Sequence, residues 1–89
     1  MVENVEDLDF RLLMLREISS LGISTRAINS LINSGILYVG DLIGKTEMGL
    51  LRIPEFGRKS LNEVKAALSG LGLQLCTDVS GWPEPSVHN

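Results

Sequence analysis

The chain has 89 residues, of which 44% are hydrophobic and 21% are charged, a composition typical of one small globular domain and not of a disordered segment. Its longest unbroken apolar runs span four residues, which excludes both a signal peptide and a membrane-spanning helix. A single cysteine, Cys76, excludes a disulfide framework and a cysteine zinc site, so we expect a soluble cytoplasmic protein.

The charges are unevenly distributed along the sequence. Eight basic and eleven acidic residues give a net charge of −3. Residues 1–9 contain four acids and no base, whereas residues 10–65 contain all eight bases and five acids, a local charge of +3. Because the middle of the sequence is only mildly basic, long-range attraction of a polyanion should be weak. Any contact with DNA must therefore come from a few well-placed groups.

The first predicted helix begins at Leu8, with Asp7 as its N-cap, and ends at Gly22. Apolar residues recur at helical spacing and are expected to face inward: Leu8, Leu12, Leu15 and Ile18. Three more widen the apolar face: Phe10, Leu13 and Met14. An exposed patch of that size is unusual, so we expect the extra side to pack against the domain or against a second copy in a homodimer.

A second helix is predicted from a cap at Ser24 or Thr25 through Asn33, with Gly35 ending it. Its inward positions are Ile28, Leu31 and Ile32. Residues 36–39 include β-branched and aromatic side chains, which are typical of a strand. No second strand is available to pair with them, so we predict a packed turn.

The rest of the sequence also predicts helices. Residues 41–44 form a short one, and Thr46 caps another that reaches Arg52. Residues 54–57 are typical of a turn in which proline fixes φ and Gly57 supplies a positive φ. Residues 58–69 form the clearest amphipathic helix. We predict an all-α domain over residues 1–83, closed by Trp82-Pro83, and a loose tail over residues 84–89.

A helix–turn–helix arrangement occurs twice, over residues 28–42 and 50–68, as in helix–hairpin–helix elements. The unpaired N–H groups and partial positive charge at a helix start favour a phosphate. In the second copy that start is Gly57-Arg58-Lys59-Ser60, where Ser60 is expected both to cap the helix and to contact phosphate. Ordinary turns in a small helical bundle are the alternative.

Several segments, in this order and spacing, resemble the C-terminal domain of the bacterial RNA polymerase alpha subunit. The similarity runs without gaps from about Leu12 to Trp82-Pro83. It rests on residues 21–31 (LGISTRAINSL), 38–42 (YVGDL), 46–47 (TE) and 56–65 (FGRKSLNEVK). The resemblance implies a compact helical domain of about five short helices with two helix–hairpin–helix elements.

The resemblance also implies a function. In that family the domain binds the A·T-rich minor groove of double-stranded DNA upstream of promoters and contacts transcription regulators and other polymerase subunits. Arg26 would enter the groove, and Asn29, one helical turn on, matches the family's second DNA contact from the same helix. The phosphate-facing start of the long helix matches Gly57, Lys59 and Ser60, followed by Glu63. Thr46 and Glu47 match the start of a regulator-facing surface.

Some positions depart from the family pattern. Glu55 stands where the family usually has an asparagine that helps to hold DNA, and Ile32 replaces a lysine. The acidic positions that touch the sigma factor fall on Ser20 and Gly22, and Gly49 replaces a further acid. The family's assembly domain and linker are absent. We therefore expect either an excised fragment or a free-standing relative.

Two functions remain open: a DNA-binding module, or a protein-interaction module that kept the fold but lost most of its DNA affinity. No Ser/His/Asp set, paired-carboxylate signature or nucleotide-binding loop is present, so an enzyme and a bound cofactor are not expected. The single histidine, His88, makes a histidine-rich metal site impossible. Met14 and Met48 are predicted to be core residues.

Overall fold

A computed structural model describes the backbone of residues 5–77 and the side chains of residues 10–77. Within residues 5–77 the protein forms five α-helices and one short 3₁₀-helix, and no β-strand. The α-helices are α1 (Val5–Met14), α2 (Thr25–Asn33), α3 (Val39–Ile43), α4 (Glu47–Leu51) and α5 (Arg58–Gly70); the 3₁₀-helix spans Ile18–Leu21. The all-α prediction is confirmed.

The core is built mainly from aliphatic side chains of the 3₁₀-helix and of α2 to α5, and α1 adds Met14. The largest fully buried ones are leucines, isoleucines and valines: Ile18, Leu31, Val39, Leu42, Ile43, Leu50, Leu61, Val64 and Leu68. Phe56, in the turn before α5, is the buried aromatic residue of this cluster. Packing of this kind holds the helix ends in fixed positions, because core side chains fit together as closely as molecules in a crystal.

The N-terminal helix is shorter than predicted. It contains Asp7, so Asp7 is not its N-cap, and it ends at Met14 rather than at Gly22. The backbone beyond it is extended and pairs with another segment: Val39 N donates to Arg16 O (2.8 Å) and Ile18 N donates to Leu37 O (3.0 Å). Because the Arg16 carbonyl and the Ile18 N–H bond to this other segment, they are not available to continue the helix.

The face that α1 turns toward the core also differs from the prediction. Met14 is buried and Phe10 packs against the core, so the domain covers two of the three extra apolar side chains, whereas Leu13 is half-buried and outside the core cluster. Leu12 and Leu15, expected to face inward, are 56% and 46% exposed. Residues 16–18 are held by the bridge to residues 37–39, and this sets which side of α1 faces the core.

The second helix starts where predicted. Ser24 is its N-cap, and the Ser24 hydroxyl accepts a hydrogen bond from Ala27 N (3.2 Å). Leu31 is fully buried, but Ile32 is 42% exposed, so its predicted inward position is wrong. Ser30 takes the inward position instead, and its hydroxyl donates to the carbonyl of Arg26 (3.0 Å).

The packed turn before α3 is confirmed. Ile36 and Val39 are buried, and the segment forms one isolated bridge rather than a strand. The Asp41 carboxylate accepts hydrogen bonds from the N–H groups of Leu37 and Tyr38 (3.1 Å each). These bonds close the turn from within α3, which begins two residues earlier than predicted.

Helices α4 and α5 lie against each other. The Thr46 hydroxyl caps α4 by accepting from Gly49 N (2.9 Å), as predicted. An ion pair between Glu47 and Lys65 (2.8 Å) joins the two helices at the surface. Met48 is 66% exposed, so the prediction that it fills the core is wrong.

After α5 the backbone returns to the domain. Cys76 N donates to the carbonyl of Lys45 (3.0 Å) and Thr77 N to that of Ile43 (2.9 Å), which fixes the segment beside α3. The predicted lid at Trp82-Pro83 and the tail over residues 84–89 lie outside the described residues. No helix in the described part of the protein is long and apolar enough to cross a membrane.

The turn between α4 and α5 carries an unfavourable residue. Phe56 N donates to Ile53 O (3.1 Å), and Glu55 has a φ of 65°. Proline at the second position and a positive φ at the third are features of a type II turn, which favours glycine or asparagine at that third position. Gly57 was predicted to supply the positive φ, but its φ is −114°. The strain therefore falls on Glu55.

We predict that Glu55→Asn increases the free energy of unfolding by up to about 1 kcal/mol, because asparagine adopts the left-handed conformation more readily than glutamate. Urea denaturation measures this change. Glu17→Asn is the matched control, since it removes the same charge at a residue with a φ of −74°. An unchanged or lower stability for Glu55→Asn would contradict the strain.

Candidate nucleic-acid interface

Helix α2 presents two of the predicted DNA-contacting side chains to solvent. Arg26 and Asn29 are both exposed, and residues three apart on a helix lie on the same face. No described acidic group lies within ion-pair distance of Arg26. Its guanidinium is therefore available to an external anion.

A cleft of about 630 Å³ lies between the start of α2, the turn over residues 53–57 and the start of α5. Five of the six predicted DNA-binding residues line it: Arg26, Gly57, Lys59, Ser60 and Glu63. The sixth, Asn29, lies in an adjoining cleft of about 220 Å³ that shares Arg26 and Glu55 with the first. The fold thus brings residues from two separated segments onto one face.

The start of α5 differs from the starts of α2 and α4. Its N-cap is Gly57, which offers no side chain to the first N–H groups of the helix, whereas serine and threonine hydroxyls cap the other two. Ser60 was expected to cap α5; this is wrong, because Ser60 lies inside the helix and is 8% exposed. Uncapped N–H groups at a helix start attract anions, and the exposed Lys59 adds a full positive charge beside them.

Glu63 connects the two sides of the cleft. Its carboxylate accepts a hydrogen bond from Ser24 N (2.9 Å), across 39 residues of sequence. The hydrogen bonds to Ser24 lower the pKa of Glu63, and the positive charge of Lys59 lowers it further. The carboxylate therefore stays ionised at neutral pH and ties the N-cap of the Arg26 helix to α5.

Glu55 places a second acid at the junction of the two clefts. Its charge opposes the potential of Arg26 and Lys59 at the surface an anion would approach. Unlike Glu63, Glu55 makes no hydrogen bond or ion pair with the described residues. No described group therefore offsets its negative charge.

Two residues of this surface were missed by reasoning from the sequence. Asn33 lines the smaller cleft together with Asn29, and its position four residues later on α2 was a signal for it. Ser24 lines the larger cleft; it was predicted as a helix cap, but its link to Glu63 leaves no trace in the local sequence.

Thr46 and Glu47 lie at the start of α4, apart from the residues that line both clefts. Thr46 is engaged in capping the helix and Glu47 pairs with Lys65. With the exposed Met48 they form a mixed surface of one apolar side chain and one ion pair. Glu47 and Lys65 also border a separate cleft of about 430 Å³ that is lined by Cys76.

The described residues contain no group of three His, Cys, Asp or Glu side chains that could hold a metal ion. The face formed by α2 and the start of α5 is instead a shallow surface with two bases, an uncapped helix start and amide side chains. Such a surface can bind a phosphate backbone and the edges of a groove.

Comparison with known proteins decides the family. Residues 4–70 match the sequence profile of the C-terminal domain of the bacterial RNA polymerase alpha chain. The protein belongs to this family. A solved structure, that of the C-terminal domain of the RNA polymerase alpha subunit from Helicobacter pylori, is similar with a TM-score of 0.69 and 31% sequence identity. The match covers 90% of this protein and 70% of that one. The alpha C-terminal domain is a non-catalytic part of RNA polymerase, which places this protein in transcription.

The hydrogen bond between Ser24 and the Glu63 carboxylate predicts that the stability of the domain depends on pH. A lowered carboxyl pKa contributes stability that is present above the ordinary value of 4.5 and is lost as the pH falls through the lower folded value. At pH 7 the melting temperature should decrease in the order wild type, Glu63→Gln, Glu63→Ala, because glutamine keeps an acceptor without the charge. The wild type and Glu63→Gln should converge in acid, as measured by thermal denaturation at a series of pH values. An equal difference at pH 7 and well below pH 4.5 would contradict this role.

Proposed function

We propose that this domain binds double-stranded DNA in the A·T-rich minor groove upstream of bacterial promoters and contacts transcription regulators, acting in the cytoplasm as part of the transcription machinery. The observation that carries the proposal is the cleft in which Arg26, Lys59 and the uncapped start of α5 meet. Membership of the alpha C-terminal domain family supports it.

The two sides of the cleft suit two different parts of DNA. Arg26 projects from α2, and an arginine favours a narrow minor groove because the negative potential is greatest there. Asn29 and Asn33 on the same helix offer amide groups to the groove edges. The start of α5 would receive the phosphate backbone through its N–H groups and Lys59.

We interpret the pairs α2–α3 and α4–α5 as the two helix–hairpin–helix elements predicted from the sequence. In each, a tight turn lies between two helices that contribute to one core. The second element supplies the phosphate-facing helix start, and the first supplies Arg26. The Ser24–Glu63 hydrogen bond holds the two elements in the register that DNA contact requires, so we assign Glu63 a positioning role.

The surface at Thr46, Glu47 and Met48 is our candidate contact for a regulator or another polymerase subunit. It is exposed and lies away from the DNA-facing cleft, so both contacts can form at the same time. A second copy of this protein is the remaining candidate partner, through α1, which lines neither DNA-facing cleft.

One observation favours the alternative function. Glu55 adds an acid that no described residue pairs with, and Ile32 is exposed where the family usually has a lysine. A domain with this surface that does not bind DNA would be a protein-interaction module with the same fold. Binding measurements separate the two functions directly.

For the DNA-binding function we predict that Arg26→Ala weakens binding to A·T-rich duplexes by roughly 1–3 kcal/mol and reduces the preference for them over G·C-rich duplexes. Lys59→Ala should weaken binding to both duplexes equally and lower the slope of log affinity against log salt by about one. Fluorescence anisotropy titrations at two salt concentrations measure both effects. If the wild type shows no preference for A·T-rich DNA at low salt, minor-groove recognition is wrong.

The negative charge of Glu55 in the cleft leads to a separate prediction. Glu55→Asn and Glu55→Gln both remove a charge that repels phosphate, so both should tighten DNA binding to a similar extent. Relief of the backbone strain by asparagine stabilises the free and the bound domain alike and adds no affinity. Glu17→Gln, which changes the net charge by the same amount outside both clefts, is the control for a general charge effect. If the Glu55 variants gain no more affinity than Glu17→Gln, the protein-interaction function is the better explanation.

A further inference from the structure

Glu55 lies where the two DNA-facing clefts meet. It lines both of them, as Arg26 does, and the smaller cleft adds the amides of Asn29 and Asn33. Of the two acids that line these clefts, Glu63 accepts a hydrogen bond from a backbone amide, whereas Glu55 has no hydrogen-bond or ion-pair partner among the described residues. The Glu55 carboxylate is therefore available to a ligand that enters the clefts.

The backbone holds Glu55 in an unfavourable conformation. Its φ is 65°, and the hydrogen bond from Phe56 N to Ile53 O closes the turn around it. Glycine at this position of the turn would avoid the strain. Glutamate lowers the stability of the turn but places a carboxylate at a defined point of the surface. Side chains held in this way are concentrated at functional sites.

A carboxylate can pair with few groups of duplex DNA. It only accepts hydrogen bonds, and the negative charge of the phosphates repels it. In the minor groove an A·T pair presents only acceptors, adenine N3 and thymine O2, whereas a G·C pair adds the guanine 2-amino group as a donor. This amine is the base-edge group of the minor groove that can donate to Glu55. Arg26 has the opposite requirement, since a guanidinium only donates.

We propose that Glu55 is a specificity-determining residue that accepts a hydrogen bond from the 2-amino group of a guanine in the minor groove. The domain then reads A·T pairs next to Arg26 and a G·C pair next to Glu55, rather than a run of A·T pairs alone. This inference rests on the proposed minor-groove binding, and it adds one position of base preference to it.

Substitution of single base pairs in an A·T-rich duplex tests the proposal. Each A·T pair is replaced in turn by a 2,6-diaminopurine·T pair, which adds the 2-amino group to the minor groove and keeps the major-groove edge of A·T. In fluorescence anisotropy titrations the affinity of the wild type should increase several-fold at one position of the site. A G·C pair at that position should give the same gain, and a hypoxanthine·C pair, which lacks the amine, should not.

Glu55→Gly is the test variant, because it removes the carboxylate and glycine suits the positive φ of this turn. This variant should bind the unsubstituted A·T-rich duplex more tightly than the wild type, and it should lose the gain from the added amine. Glu17→Gln is the matched control, since it removes one negative charge outside both clefts. It should keep the gain.

The outcomes separate the Glu55 contact from the proposed function. A wild type that binds A·T-rich and G·C-rich duplexes equally would overturn minor-groove recognition and the Glu55 contact together. A wild type that prefers A·T-rich DNA but loses affinity wherever the amine is added would overturn the Glu55 contact alone. A gain that persists in Glu55→Gly would also overturn it, because the amine would then pair with another group.

Discussion

One hydrogen bond, from Ser24 N to the Glu63 carboxylate (2.9 Å), ties together the two helix starts that form the candidate interface. Its donor is the N-cap of the helix that carries Arg26, and its acceptor lies one turn into the helix whose first residues attract anions. The buried core sets the approximate positions of the helices, but core packing does not by itself fix the relative rotation of two helix ends at the surface. The hydrogen bond between the charged Glu63 carboxylate on α5 and the N-cap of α2 fixes this rotation. A hydrogen bond to an ionised group is both shorter and stronger than a neutral one.

The surface charge of the cleft depends on the partners of its two acids. Glu63 accepts a hydrogen bond from a backbone amide and lies close enough to Lys59 for the two charges to interact. Glu55 has no such partner among the described residues and lies beside Arg26 in both clefts. Glu63 therefore holds the two helix starts together, whereas Glu55 reduces the positive potential of the cleft. The net charge of the protein carries no information about this difference.

Much of the fold follows from local signals. The capping serine and threonine, the helical spacing of α5 and the glycines after α2 predicted α2, α4 and α5 to within one or two residues. The path of α1 did not follow from them, because a bridge between residues 16–18 and 37–39 ends the helix and sets the side that it buries. The conformation of Glu55 was missed for a related reason: residue type favoured Gly57 for the positive φ, whereas the Ile53–Phe56 hydrogen bond determines which position takes it.

The set of candidate DNA-contacting residues came from a resemblance to a family, and the fold assembles them along two adjoining clefts. The sequence does not show which contact each of these residues makes in the clefts. The contact between Ser24 and Glu63 spans 39 residues, and no periodicity or motif encodes it. Asn33, in contrast, was missed although its helical spacing from Asn29 was a signal for it.

The bare start of α5 has an evolutionary consequence. Its anion-attracting groups are backbone amides, so no exchange of one ordinary side chain for another deletes them, proline excepted. Selection can vary the residues around them, such as Glu55 or Lys59, and move the strength of binding up or down while the anchoring geometry is inherited unchanged. A surface of this design can therefore change its side chains and still present the same anion-attracting helix start.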